Sequence, residues 1–167
     1  MADTDEKLQR RQCKADAFHA LLQSLEDYAQ PTSMRIFDAL SQAHQNQRNA
    51  ESSRLARETL LQEDPQAEPP EELSLSVIAG YHSMSGGMYE SAALDYLFAH
   101  DLLRAYTYAR KACRQWRFAA EMVREESQRS LEHARECCWR CAMIRQEIAR
   151  RSLRRRRWSL GLLGRMR

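Results

Sequence analysis

The chain is poor in the residues that build sheets. Its 167 positions include four Ile and two Val. So few β-branched aliphatics, with only four Pro and five Gly, argue against a sandwich, a barrel or a doubly wound sheet. No stretch approaches 18 uninterrupted apolar residues, so no membrane-spanning helix is expected. There is no P-loop, no G-x-G-x-x-G, no nucleophile elbow and no HExxH, and without them nothing points to an enzyme, a cofactor or a small-molecule substrate. The first twelve residues, MADTDEKLQRRQ, hold no apolar stretch, and the five Cys are an odd number with four of them late in the chain. That combination predicts no secretory leader and a reduced, intracellular chain.

What remains is an all-α protein of about one domain's length. Lys is nearly absent as well: 23 of the 26 basic residues are Arg. The formal charge of +3 conceals a gradient. Residues 1–72 carry 14 acidic and eight basic side chains, a net of −6, whereas residues 73–167 carry nine acidic and 18 basic, a net of +9. The pattern divides the chain into an acidic helical segment over 1–61, a Pro- and Glu-rich linker over 62–72, a helical region over 73–149 and an Arg-rich tail over 150–167.

In the first segment Leu8, Ala15, Phe18, Leu22, Leu25 and Ala29 predict a helix over 5–29. A second helix, capped by Thr32 or Ser33, runs on to Leu61. Its middle, SQAHQNQRNAESSR, offers little to bury and reads as a solvated rod between two contacts or a frayed stretch. After the linker QEDPQAEPPEE, the alternation of Leu73, Leu75 and Val77 with Ser reads as a short helix or an extended arm, and Ser85, Gly86 and Gly87 read as a break. From Met88 to Arg157 there is neither Pro nor Gly.

Steps of four and three from Leu102 pass through Tyr106, Ala109, Cys113, Trp116, Ala120, Val123, Ser127, Ser130, Ala134, Cys137, Cys141, Ile144 and Ile148. Twelve of these fourteen positions are apolar or Cys, which is the period of a coiled-coil or helical-hairpin seam. Leu102, Tyr106, Trp116, Val123, Cys137, Cys141, Ile144 and Ile148 are therefore assigned to a seam for self-association or a partner helix. The two Ser fall in the polar stretch REESQRS, where a hairpin would turn.

The sharpest feature is RRSLRRRRW. Arg150, Arg151, Arg154, Arg155, Arg156 and Arg157 precede Trp158, and no Asp or Glu follows Arg150. Arg presents a planar fork that grips phosphate in a bidentate fashion, and Trp158 can stack on a base. The nine residues resemble the Arg-rich motifs of small RNA-binding regulators. The resemblance implies nucleic-acid binding, RNA in preference to DNA, and a nuclear or nucleolar address. Trp158, Leu160, Leu162, Leu163 and Met166 between Arg residues also suit a membrane surface, although Gly161 and Gly164 weaken such a helix. A scattered positive stripe, Arg104, Arg110, Arg114 and Arg117, lies on or near the side away from the seam.

The segment HARECCWRC places His133, Cys137 and Cys141 on one helical face, with Cys138 and Cys141 forming a C-x-x-C. Residues eight apart stand about 12 Å from each other on a helix, so a zinc site from His133, Cys137, Cys138 and Cys141 needs a second helix, for instance Cys113, to close it. The simpler reading makes Cys137 and Cys141 small apolar knobs of the seam, with no metal. The expectation is an all-α bundle or hairpin with a basic tail, acting as a non-enzymatic accessory or regulatory protein of a GC-rich, Arg-coding gene, a virus among its candidate sources, and located in the nucleus or nucleolus, with the cytoplasm as the other compartment. The competing reading is a helical scaffold or adaptor whose Arg tail is only an address or a membrane-surface contact.

Overall fold

The computed structural model describes residues 33–123 and 127–163, with side chains at 33–123 and 128–152, and before them only Asp16, His19, Ala20 and Gln23. The helix expected over 5–29 lies, but for those four helical residues, outside this range. Four α-helices and one 3₁₀ turn follow: α1 (Ser33–Glu63), the turn (Glu71–Leu73), α2 (Leu75–Phe98), α3 (Leu102–Met122) and α4 (Ser127–Leu163). There is no strand among the described residues, and no described helix is long and apolar enough to cross a membrane. Each helix packs on the next, α1 on α2, α2 on α3 and α3 on α4, so the molecule is a helical bundle.

α1 stays helical through its polar middle because small residues make its contact. Ala39, Ala43 and Ala50 are buried, and the Ala43 carbonyl accepts a 2.9 Å hydrogen bond from Ser85 Oγ of α2. The expected rod with little to bury is thus a continuous contact helix, and its packing comes from close backbone approach rather than from large side chains. A second tie joins the same pair, with Tyr89 Oη donating to Gln47 at 3.0 Å. Beyond Glu63 the linker is helix-free over 64–70, yet Arg57 Nη1 reaches across to donate to the Leu73 carbonyl at 3.1 Å.

The extended arm and the break expected after the linker are both absent. Ser74 Oγ accepts from the Val77 amide at 3.3 Å, which satisfies an orphan donor and starts α2 as a single 24-residue helix. It continues through Ser85, Gly86 and Gly87, with Gly86 lying against the Trp116 indole of α3, where a Cβ would stand 3.0 Å from the ring. His82 Nδ1 and Gln115 Oε1 form a buried 2.6 Å pair across the same interface.

The run from Met88 to Arg157 breaks twice instead of forming one rod. At the first corner His100 takes φ of 58°, and Asp101 caps α3 by accepting from the Arg104 amide at 3.1 Å. At the second, Val123 is extended after Met122, and α4 starts at Ser127, within the polar REESQRS stretch. The seam therefore closes inside one chain, and the chain forms the hairpin. Leu102, Ala105, Ala109, Met143 and Ile144 share a core cluster, with Tyr106, Cys141 and Ile148 packed against it. Cys113 and Cys137 join Ala43, Tyr89 and Ala112 in a second cluster, flanked by Trp116.

Candidate nucleic-acid interface

α3 and α4 run antiparallel, fixed in register by a disulfide between Cys113 and Cys138. The seam brings two of the five cysteines together from opposite arms. Counting eleven residues back along α3 from Cys113 and eleven forward along α4 from Cys138 sets Leu102 level with Ala149. Residues 151–163, about 20 Å of helix at 1.5 Å per residue, continue past the start of α3.

Glu147 sits at the root of that extension. It is 6% exposed and accepts from Arg150 Nε at 2.7 Å, Arg150 Nη2 at 2.9 Å and Arg151 Nε at 2.9 Å. Burial pushes its carboxyl up, but the hydrogen bonds from Arg150 and Arg151 outweigh this and hold it below the ordinary glutamate value. Two of the six tail arginines are thus clamped by the chain's last acidic residue. Arg154, Arg155, Arg156, Arg157 and Trp158 follow on helical backbone within α4, while their side chains lie outside the described residues.

The positive stripe on α3 is more organised than its spacing indicated. Arg104 pairs with Asp101 at 3.5 Å. Arg110, Lys111, Arg114 and Arg117 instead line an open groove of about 570 Å³ between α3 and α4, together with Tyr106, Thr107, Cys113, Cys138 and Cys141. Arg110 lies 5.8 Å over the Tyr106 ring, Arg114 5.3 Å over Phe118, and Lys111 5.3 Å over both Tyr89 and Tyr108. Arg117 Nη2 donates to Cys138 Sγ at 3.6 Å. None of the four cations pairs with a carboxylate among the described residues.

The four-residue metal set does not assemble. Cys138 is bonded to Cys113. Burial, then the nearby Glu90 carboxylate, pushes the Cys137 thiol up to about 12, so it is no source of thiolate. Burial also raises Cys141, against the opposing pull of Arg110. His133 turns away from the cysteines. It stacks on Trp116, with centroids 4.5 Å apart, and its Nδ1 is 3.7 Å from Glu90 Oε2. Trp116 Nε1 donates to the same carboxylate at 3.3 Å.

Glu90 is the residue that sequence reasoning missed, because its partners lie 26 to 50 positions away. Glu90, His133 and Glu136 gather ligand atoms within 4.8 Å of one another. Arg140 already stands in that cluster, bonded to Glu90 and 3.4 Å from Glu136. Burial works against its charge, but the Glu90 hydrogen bond and field more than restore it. A divalent cation there would have to displace a half-buried, paired guanidinium, so the cluster is a structural ion pair tying α2 to α4. No protein-family description, characterised protein or solved structure matches the chain.

Proposed function

We propose that the chain is a non-enzymatic accessory protein that binds nucleic acid, RNA in preference to DNA, through the Arg-rich end of α4. The observation that carries this reading is the continuity of α4 through Arg150–Arg157 beyond Glu147, the last carboxylate of the chain. A helical backbone that continues past the Glu147–Arg150–Arg151 cluster is ordered before binding, and such pre-organisation lowers the ordering cost of binding. The likeness of RRSLRRRRW to the Arg-rich motifs of RNA-binding regulators is what favours RNA.

The test is the salt dependence of binding to a single-stranded RNA oligonucleotide. Each phosphate contact on a single strand contributes about 0.7 to the slope of log K against log salt. Replacing Arg154, Arg155, Arg156 and Arg157 by Gln is expected to lower that slope by up to about three and to weaken binding. An unchanged affinity and slope would remove the tail from the contact. Nuclear delivery by the same run belongs to the proposal and is scored separately, by imaging the wild-type and Gln chains as fluorescent fusions. A chain that keeps its RNA affinity but no longer accumulates in the nucleus would mark the run as an address only.

A further inference from the structure

We infer that the groove between α3 and α4 is a second nucleic-acid site, which holds the sugar-phosphate backbone of a single strand. The inference rests on the reading of the chain as a nucleic-acid binder but uses different residues from the α4 tail. Its motivation is a contrast in how cations are held. Elsewhere Arg54, Arg104, Arg140, Arg150 and Arg151 each stand against a carboxylate, with Arg104 also lying 5.6 Å over Tyr96. Arg48 and Arg57 donate to neutral oxygens, and Arg129, Arg135 and Arg145 are exposed with no ion pair among the described residues. In the groove Arg110, Lys111 and Arg114 are held by aromatic faces instead. A ring restrains a cation without cancelling its charge. With Arg117, four charges share one concave channel whose lining holds no carboxylate among the described residues, and together they focus a positive potential that a lone surface Arg does not create.

The dimensions select a strand over a point anion. Arg110 and Arg117 are seven residues apart, which sets them about 10 Å from each other along the helix axis. A stacked strand advances about 3.4 Å per phosphate, so Arg110, Arg114 and Arg117 match a run of about three phosphates on one side of the groove. Tyr106 lines the end of the groove nearest the start of α3, beneath Arg110. The channel floor is the Cys113–Cys138 bond and Cys141, which contribute no negative charge.

The experiment uses the full chain and a fluorescein-labelled ten-nucleotide oligouridylate, with binding read by anisotropy from low to moderate salt. The groove variant carries Arg110→Gln, Arg114→Gln and Arg117→Gln. A matched control carries Arg129→Gln, Arg135→Gln and Arg145→Gln, which removes three exposed charges of α4 outside the groove. The groove variant is expected to lose about two from the salt slope, three phosphate contacts at about 0.7 each, while the control retains the wild-type slope and both keep the wild-type helical circular dichroism. Equal losses in groove variant and control overturn the inference, since only general charge would then matter. An unchanged groove variant overturns it too, and if the Gln chain at Arg154–Arg157 loses affinity in the same assay, the tail reading survives alone. Loss in the groove variant with none in the tail variant leaves the groove as the site and removes the tail. Binding to phosphatidylserine vesicles that depends on the groove arginines, with no binding to the oligonucleotide, would overturn both nucleic-acid readings in favour of a lipid surface.

Discussion

Single residues decide where this chain bends and where it does not. Gly86 is the clearest case. A Cβ at that position would stand 3.0 Å from two Trp116 ring atoms, and Trp116 is itself pinned by its stack on His133 and its bond to Glu90. Helical Gly→Ala gains about 0.5–1 kcal/mol in an unobstructed site, whereas overpacking costs about 1–3 kcal/mol. Gly86→Ala is therefore expected to destabilise by about 1 kcal/mol. Gly80→Ala, with nothing within 4 Å, should stabilise by up to about 1 kcal/mol. Urea melts of the two variants check the sign, and a stabilised Gly86→Ala would show that Trp116 does not need the gap. Asp95 is a second case. It is fully buried, neither carboxylate oxygen has a hydrogen-bond partner among the described residues, and Arg35 Nη2 reaches to 3.3 Å. Burial raises its carboxyl above the ordinary aspartate value, and Arg35 pulls it back only in part. The folded state thus holds the proton more tightly than the unfolded one. Stability from this group is greatest below the unfolded value and falls as pH rises toward the folded value. Asp95→Asn carries no such term, so its stability relative to wild type is expected to rise as pH increases from about 4 and to level off above the raised folded value. Paired denaturant melts across that range measure it, and a constant deficit for the Asn chain would contradict the buried-carboxylate account.

At the scale of elements, the α3–α4 hairpin joins a seam and a covalent tie. The Cys113–Cys138 bond closes a separation of 25 residues, and the chain-entropy model assigns a loop of that length about 3.5 kcal/mol of stabilisation. Cys113→Ser should lower the unfolding free energy by about that amount. Dithiothreitol should reproduce the loss in wild type and leave the Ser chain unchanged, and a melting temperature indifferent to reductant would mean that the bond contributes nothing. Much of the hairpin was legible in the sequence, because a period of 3.5 survives any turn that keeps register and REESQRS marked the polar corner. The first corner was hidden. It uses His100 in a left-handed conformation with no Gly to announce it, and its one sequence signal is Asp101 three residues before Arg104. The Gly pair of α2 misled in the opposite direction, since glycine breaks a helix in isolation but admits a close neighbour in a bundle. Leu73, Leu75 and Val77 alternating with Ser looked strand-like because a capping Ser74 and an exposed Leu75 interrupted the helical stripe at its start. The α3 arginines could be placed on a face from spacing, yet the groove they line depends on α4 packing and on Cys138, which no local pattern reveals.

For the whole molecule, folding the seam inward changes what a second copy could bind. Leu102, Cys137 and Ile144 are buried in the chain's own core, so a dimer zipped along this seam would first have to open the hairpin and forfeit both core clusters. The large apolar side chains left exposed, Met34, Phe37 and Leu55 on α1, Leu75 and Met84 on α2, Leu103 on α3 and Leu131 and Trp139 on α4, are distributed over all four helices. Light scattering at micromolar concentration is therefore expected to give the monomer mass of 19.5 kDa. One dimer escapes this argument. If α4 exchanged between copies, every α3–α4 contact would be kept, with the Cys113–Cys138 bond now running from one copy to the other. The two cases separate on a non-reducing denaturing gel: a closed hairpin migrates as one chain, whereas an exchanged pair migrates as two until reductant is added. A mass of twice the monomer in scattering, with a single-chain band on that gel, would fit neither arrangement and would show that a surface other than the seam pairs the copies.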